Sequence, residues 1–114
     1  MRNTIVVLVE NKPGVLNRVA SLFRRRAFNI DSLTVGRTEN PDISRMTIVV
    51  DTDECNIDRL ISYLYKLVNV IQVHNLTDVP SVHRDLALIK VNAEDENRGQ
   101  IMQIVEVFRA RIVD

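Results

Sequence analysis

At 114 residues with 46% hydrophobic content, the chain has room for one compact domain of ordinary size and enough apolar side chain to give it a core. Fifteen Lys and Arg balance fifteen Asp and Glu, so no net field draws it to nucleic acid or an anionic membrane, and small-molecule or protein partners are favoured. The single cysteine, Cys55, excludes an internal disulfide and a multi-cysteine metal site, and with no signal-like segment or membrane-length apolar run the default compartment is the cytoplasm.

The first predicted element is a strand over Arg2 to Glu10, built on the apolar run Ile5-Val6-Val7-Leu8-Val9. It stops at Glu10-Asn11-Lys12-Pro13-Gly14, and a helix-period segment starts at Val15. Such a junction brings the free backbone amides of the helix's first turn to a rim, where the positive end of the helix dipole favours a carboxylate. It reads as a seat for a small anion. Lys12-Pro13-Gly14 has one glycine and no Gly-Lys-Ser/Thr ending, so it lacks the loop that wraps a polyphosphate, which argues against a nucleotide. Asn11 offers both a donor and an acceptor, as a zwitterion with one carboxylate and one ammonium requires, and a free amino acid fits. The same residues also make a plain strand-to-helix turn, with Asn11 as a local cap and Pro13-Gly14 as punctuation, and the turn alone does not choose.

In the helix, Leu16, Val19, Ala20, Phe23 and Ala27 recur at spacings of three and four and form the predicted buried face, with Asn17, Arg18, Arg24 and Arg25 outward. Arg24-Arg25-Arg26 suits a solvated helix end, where cations are favoured, better than a phosphate site. Phe28-Asn29 ends the helix. Ile30 to Thr38 reads as a strand with Leu33, Val35 and Arg37 on one side and Ser32, Thr34 and Gly36 on the other. After the turn Asn40-Pro41-Asp42 comes a strand over Ile43 to Asp51, then a helix capped by Asp53 or Asn56 that carries Ile57, Leu60, Ile61, Leu64, Leu67 and Val68. Val70 to Leu76 is the last strand of the unit. The order β-α-β-β-α-β over residues 1–77 is the ferredoxin-like α+β arrangement, an antiparallel four-stranded sheet with two helices on one face.

Pro80 and Ser81 mark a linker over 78–83, after which Leu86-Ala87-Leu88-Ile89-Lys90-Val91 reads as a new strand. Gly99, Ile101, Ile104, Val105, Val107, Phe108, Arg109 and Arg111 match Gly14, Leu16, Val19, Ala20, Leu22, Phe23, Arg24 and Arg26 at one constant offset, as the opening of a degenerate repeat. Its loop, residues 92–98, is acidic and lacks Pro-Gly, so it is not expected to bind the same carboxylate. A lone strand and helix cannot close a second core, so 84–114 is read as the start of an incomplete, truncated α/β domain, with a terminal extension packed on the first unit as the alternative.

Catalytic ingredients are scattered. His74 alternates along a strand, His83 lies beyond it, Cys55 has no nearby histidine in sequence, and Asp51, Asp53 and Glu54 look like a helix N-terminus meeting its dipole. An RNA-binding module of this strand order stacks bases on aromatics of its central strands. Here Ile5 to Val9 and Met46 to Val50 carry none, while Phe23, Phe28, Phe108, Tyr63 and Tyr65 fall in or beside helices. A metal chaperone would want paired cysteines, which are absent.

Asn11-Lys12-Pro13-Gly14-Val15-Leu16 after a first strand, Phe28-Asn29-Ile30-Asp31-Ser32-Leu33 with the Thr34-Val35-Gly36 that follows, and the β-α-β-β-α-β order resemble the small regulatory subunits of acetohydroxyacid (acetolactate) synthase, within the wider ACT-domain family. The resemblance covers 1–77 as an ACT domain and 84–114 as the start of those subunits' C-terminal domain. It implies a non-catalytic protein of branched-chain amino acid biosynthesis, a homodimer whose ACT domains pair side by side with the effector, usually valine, at their shared boundary. Asn11, Gly14, Val15 and Leu16 of one protomer would hold the carboxylate and side chain, while Asn29 and Ile30 approach from the other. It further implies a catalytic large subunit as partner, condensing pyruvate with thiamine diphosphate, magnesium and FAD, none of them bound on this chain. That subunit would be activated by this one and inhibited through it. Single residues keep other roles open: Asn29 also suits a helix end that tolerates left-handed backbone, and Val15, Leu16 and Ile30 also suit a core. The alternative within the wider family is a free-standing ACT-domain sensor with another effector or partner.

Overall fold

Alternation fixes the first element: β1 (Arg2–Glu10) buries Asn3, Ile5, Val7 and Val9, while Thr4, Val6, Leu8 and Glu10 stay half-buried on the other side. The computed structural model describes residues 1–113 in two units, Met1–Val82 and a second that begins at His83. In the first, β2 (Ile30–Arg37), β3 (Ile43–Asp51) and β4 (Val70–Asn75) join β1 in one antiparallel sheet of order β2-β3-β1-β4. Helices α1 (Val15–Arg25) and α2 (Glu54–Tyr65) complete the β-α-β-β-α-β order. Their buried residues form one cluster with Ile5, Val7, Val9, Met46, Ile48 and Val50, so both helices cover the same face of the two central strands. This is the ferredoxin-like α+β unit expected from the sequence.

The buried face of α1 keeps Val19, Phe23 and the half-buried Ala20 of the one expected and differs at its ends. Val15, Val19, Leu22 and Phe23 are buried, Leu16 is 44% exposed, and Ala27 lies beyond the helix end. Spacings of three and four fit either stripe, and Leu16 lies about 100° around the axis from Val15, so the position of the sheet chooses. The helix closes through a Schellman motif. Ala27 takes a left-handed φ of 60°, the Phe28 N–H donates to the Phe23 carbonyl at 3.0 Å, and the Ala27 N–H donates to Arg24 at 3.2 Å. The Phe23 and Phe28 rings meet edge to face with centroids 6.3 Å apart, supplying the apolar contact this motif favours. The Arg26 guanidinium then stacks 3.9 Å from the Tyr63 ring centroid, fastening the end of α1 to α2. Asp53 is the α2 cap, accepting the Asn56 N–H at 2.8 Å.

In the second unit, α3 (Arg98–Val107) forms where the repeat predicts a helix, but residues 86–91 are not a strand. Leu86, Leu88 and Ile89 are at least 80% exposed. An apolar run becomes a strand only when a ladder partner takes its N–H and C=O groups, and none does so here among the described residues. Gly99, the counterpart of Gly14, falls inside α3 and has no left-handed φ. No helix is long and apolar enough to cross a membrane among the described residues.

Candidate functional site

The turn between β1 and α1 is fastened on both sides and open in the middle. The Glu10 N–H donates to the Asn69 carbonyl at 2.9 Å, the Asn11 N–H donates to Asp42 at 2.8 Å, and the Lys12 N–H folds back on Glu10 at 3.0 Å. Gly14 then takes the N-cap position with φ 84°, a left-handed conformation that glycine adopts without a Cβ penalty. A Cβ there would meet no atom within 4 Å, so the requirement is conformational rather than steric.

This geometry leaves the helix uncapped. No side chain bonds to the α1 N-terminus and its first turn holds no acid. Among the described residues the N–H groups of Gly14, Leu16 and Asn17 have no protein acceptor; the first strong bond of the helix runs from Arg18 to the Gly14 carbonyl at 3.1 Å. Three unpaired donors therefore gather at the positive end of an eleven-residue helix dipole. Beside them, Asn11 donates through Nδ2 to the Pro41 carbonyl at 2.9 Å, which fixes its amide plane and leaves Oδ1 without a protein donor among the described residues. The rim thus offers donors for a carboxylate and an acceptor for an ammonium. Lys12 contributes little free charge, since its Nζ lies 2.7 Å from a Glu10 carboxylate oxygen.

The six residues singled out in the sequence fall into two groups. Asn11, Gly14, Val15 and Leu16 share this turn. Val15 is 4% exposed with its side chain in the core and its N–H directed at the Lys12 carbonyl at 3.4 Å, whereas the half-exposed Leu16 lies on the surface. Asn29 and Ile30 sit at the other end of α1, about 16 Å away along a helix of eleven residues. Asn29 is exposed and Ile30 half-buried against the core. The left-handed residue that ends α1 is Ala27, so Asn29 is not occupied by that role.

The pairing of Asn69 with Arg18 was not legible in the sequence. Asn69 is 7% exposed in the turn before β4, where its Oδ1 accepts from the Arg18 guanidinium and its carbonyl from Glu10. The only sequence signal was one polar residue between Val68 and Val70, and nothing paired it with a helix fifty-one positions away. The scattered catalytic ingredients stay apart: Asp51 holds the N-terminal ammonium at 2.9 Å, Asp53 caps α2, His74 stands opposite Val6, and Cys55 is exposed.

Residues 5–72 match the family described as AHAS small subunit-like ACT domain, and residues 84–114 match the family described as small subunit of acetolactate synthase. The chain is 58% identical over 114 residues to the "Probable acetolactate synthase small subunit" of Archaeoglobus fulgidus, covering all of this chain and 71% of that protein. It is 54% identical over 112 residues to the acetolactate synthase small subunit of Mycobacterium avium, covering 98% of this chain and 67% of the relative. The crystal structure of the acetolactate synthase small subunit from Thermotoga maritima superposes with a TM-score of 0.82 at 37% identity, covering all of this chain and 71% of that one.

Proposed function

The chain belongs to the acetolactate synthase small-subunit family, the non-catalytic regulatory subunits of that enzyme, and from this premise we propose that it binds a branched-chain amino acid such as valine between two copies of its β-α-β-β-α-β unit. The observation that carries this reading is the uncapped N-terminus of α1, with left-handed Gly14 and the free amides of Gly14, Leu16 and Asn17 beside the free Oδ1 of Asn11. The amides take the carboxylate and Asn11 takes the ammonium. Leu16 at the rim offers the aliphatic side chain an apolar contact.

The two-copy arrangement draws support from β2. This edge strand has every residue after Ile30 exposed, including Leu33 and Val35, and an open edge of that length is a template for a further strand. Antiparallel pairing of two β2 strands about a twofold axis sets Ile30 of one copy against the Arg37 end of the other. That end leads into Thr38, which donates to Ile43 at 3.1 Å, and into the 40–42 turn that holds Asn11. The partner's Asn29 and the partner's Ile30 thereby approach the seat that lacks them in one chain. The ligand lies mostly out of water although each unit is small.

Regulation follows as a population shift. An effector that binds one arrangement of the pair better than another favours that arrangement, and with it one mode of contact with the catalytic subunit, which carries the thiamine diphosphate, magnesium and FAD. Without effector the small subunit raises the catalytic subunit's activity; with effector the gain is withdrawn. Calorimetric titration with valine, leucine, isoleucine, serine and phenylalanine tests the reading. Saturable binding of a branched-chain amino acid that is lost in Asn11→Ala and Gly14→Asp supports it. Absence of heat with every amino acid, from a folded dimer, overturns it.

A further inference from the structure

A four-stranded sheet has two outer edges, and the two here are unlike. Along β2 no described side chain bonds to the outward main-chain groups of its eight residues. β4 is only six residues long, and a register shift leaves Ile71 unpaired between Val70, opposite Val9, and Gln72, opposite Leu8. The Leu76 N–H donates to the Thr4 carbonyl at 2.9 Å, which sets the phase of the β1–β4 ladder. Two-residue alternation then turns both main-chain groups of Val73, opposite Val7, away from β1 and out along the edge.

One side chain takes both of those groups. The Tyr65 hydroxyl accepts the Val73 N–H at 2.9 Å and donates to the Val73 carbonyl at 3.3 Å. Tyr65 is the last residue of α2 and is half-exposed, and it is not among the residues of the core cluster. Its hydroxyl meets the two hydrogen-bonding groups that an added strand would need at the middle of β4. The bulge at Ile71 removes the regular spacing beside them.

We infer that Tyr65 guards this edge: its hydroxyl closes β4 to strand addition, so that a second copy of the chain joins the sheet only along β2. The inference rests on the side-by-side pairing proposed above and assigns it to one edge.

Tyr65→Phe deletes the hydroxyl and keeps the ring. Sedimentation equilibrium over a wide concentration range, with hydrogen exchange at the Val73 amide, reads the result. At low concentration the Val73 amide of the variant loses protection, and with rising concentration a second association step appears, carrying the mass to twice that of the parent assembly. Adding Ile71→Lys, a charge on the same exposed edge, returns the mass to the parent value. Tyr65→Phe sedimenting like the parent at every concentration overturns the inference, as does a double variant that stays in the larger assembly. A parent that is monomeric removes the β2 pairing instead, and the edge is then tested by whether Tyr65→Phe turns that monomer into a dimer.

Discussion

Asn69 ties the two flanks of the candidate site together by accepting from Arg18 on α1 through its side chain, while its carbonyl accepts the N–H of Glu10 at the end of β1. Among the described residues it is one of three buried polar ones, with Asn3 and Ser44, and its Oδ1 is bonded to a charged donor. Asn69→Ala removes that acceptor and leaves the guanidinium without it. The expected loss is about 1–3 kcal/mol in urea unfolding. Asn69→Asp keeps an acceptor in place and is expected to retain most of the stability, a difference that simple loss of packing would not produce.

Ala27 holds a left-handed backbone so that Phe28 can close on Phe23, a position that glycine fills at lower conformational cost. Ala27→Gly is expected to raise stability by about 0.5–1 kcal/mol, relief of strain outweighing the greater freedom of the unfolded chain. Phe28→Ala, which removes the ring from the closing contact, is expected to lower it. Thermal unfolding of the two variants beside the parent measures both signs.

The β3 limits, Ile43 and Asp51, were legible because alternation over nine residues leaves one register that buries Ser44, Met46, Ile48 and Val50. The end of α1 was legible only as a place. Asn29 suited a left-handed helix end as well as the site, and hydrogen bonding to Phe23 and Arg24 puts that conformation on Ala27. The seat was half legible: Pro13-Gly14 marked the turn, but the ties from Asn11 to Pro41 and from Arg18 to Asn69 cross thirty and fifty-one positions and carry no local signature. Residues 86–91 show the opposite failure, where the apolar pattern of a strand is present and the ladder is not.

Val35 offers a selective test of the β2 edge. The Thr38 N–H donates to Ile43, and two-residue alternation from that pair turns the Val35 N–H outward, opposite Met46. Val35→Pro therefore removes an outward donor without breaking the bonds to β3, a substitution that edge strands tolerate. The expected outcome is a folded chain, by circular dichroism, that sediments as a monomer and binds valine at least about tenfold more weakly, a difference of about 1.4 kcal/mol. A dimer of unchanged affinity would place the pairing elsewhere.

Gly14 separates conformation from charge at the seat itself. Its φ of 84° costs an alanine about 1–2 kcal/mol of folding stability, with no clash because nothing lies within 4 Å of the position its methyl group would take. Gly14→Ala leaves the amides of Leu16 and Asn17 where they are, so once folded it is expected to bind valine within about tenfold of the parent, a difference of about 1.4 kcal/mol. Gly14→Asp carries the same backbone strain and adds a carboxylate beside the free amides, where it satisfies the helix dipole and repels the ligand's own carboxylate. Binding is expected to fall more than about a hundredfold while α1 is as stable as in Gly14→Ala or more so. Titration calorimetry and unfolding on the same two proteins distinguish the cases: equal affinities for the Ala and Asp variants would mean that the helix N-terminus does not hold the effector's carboxylate.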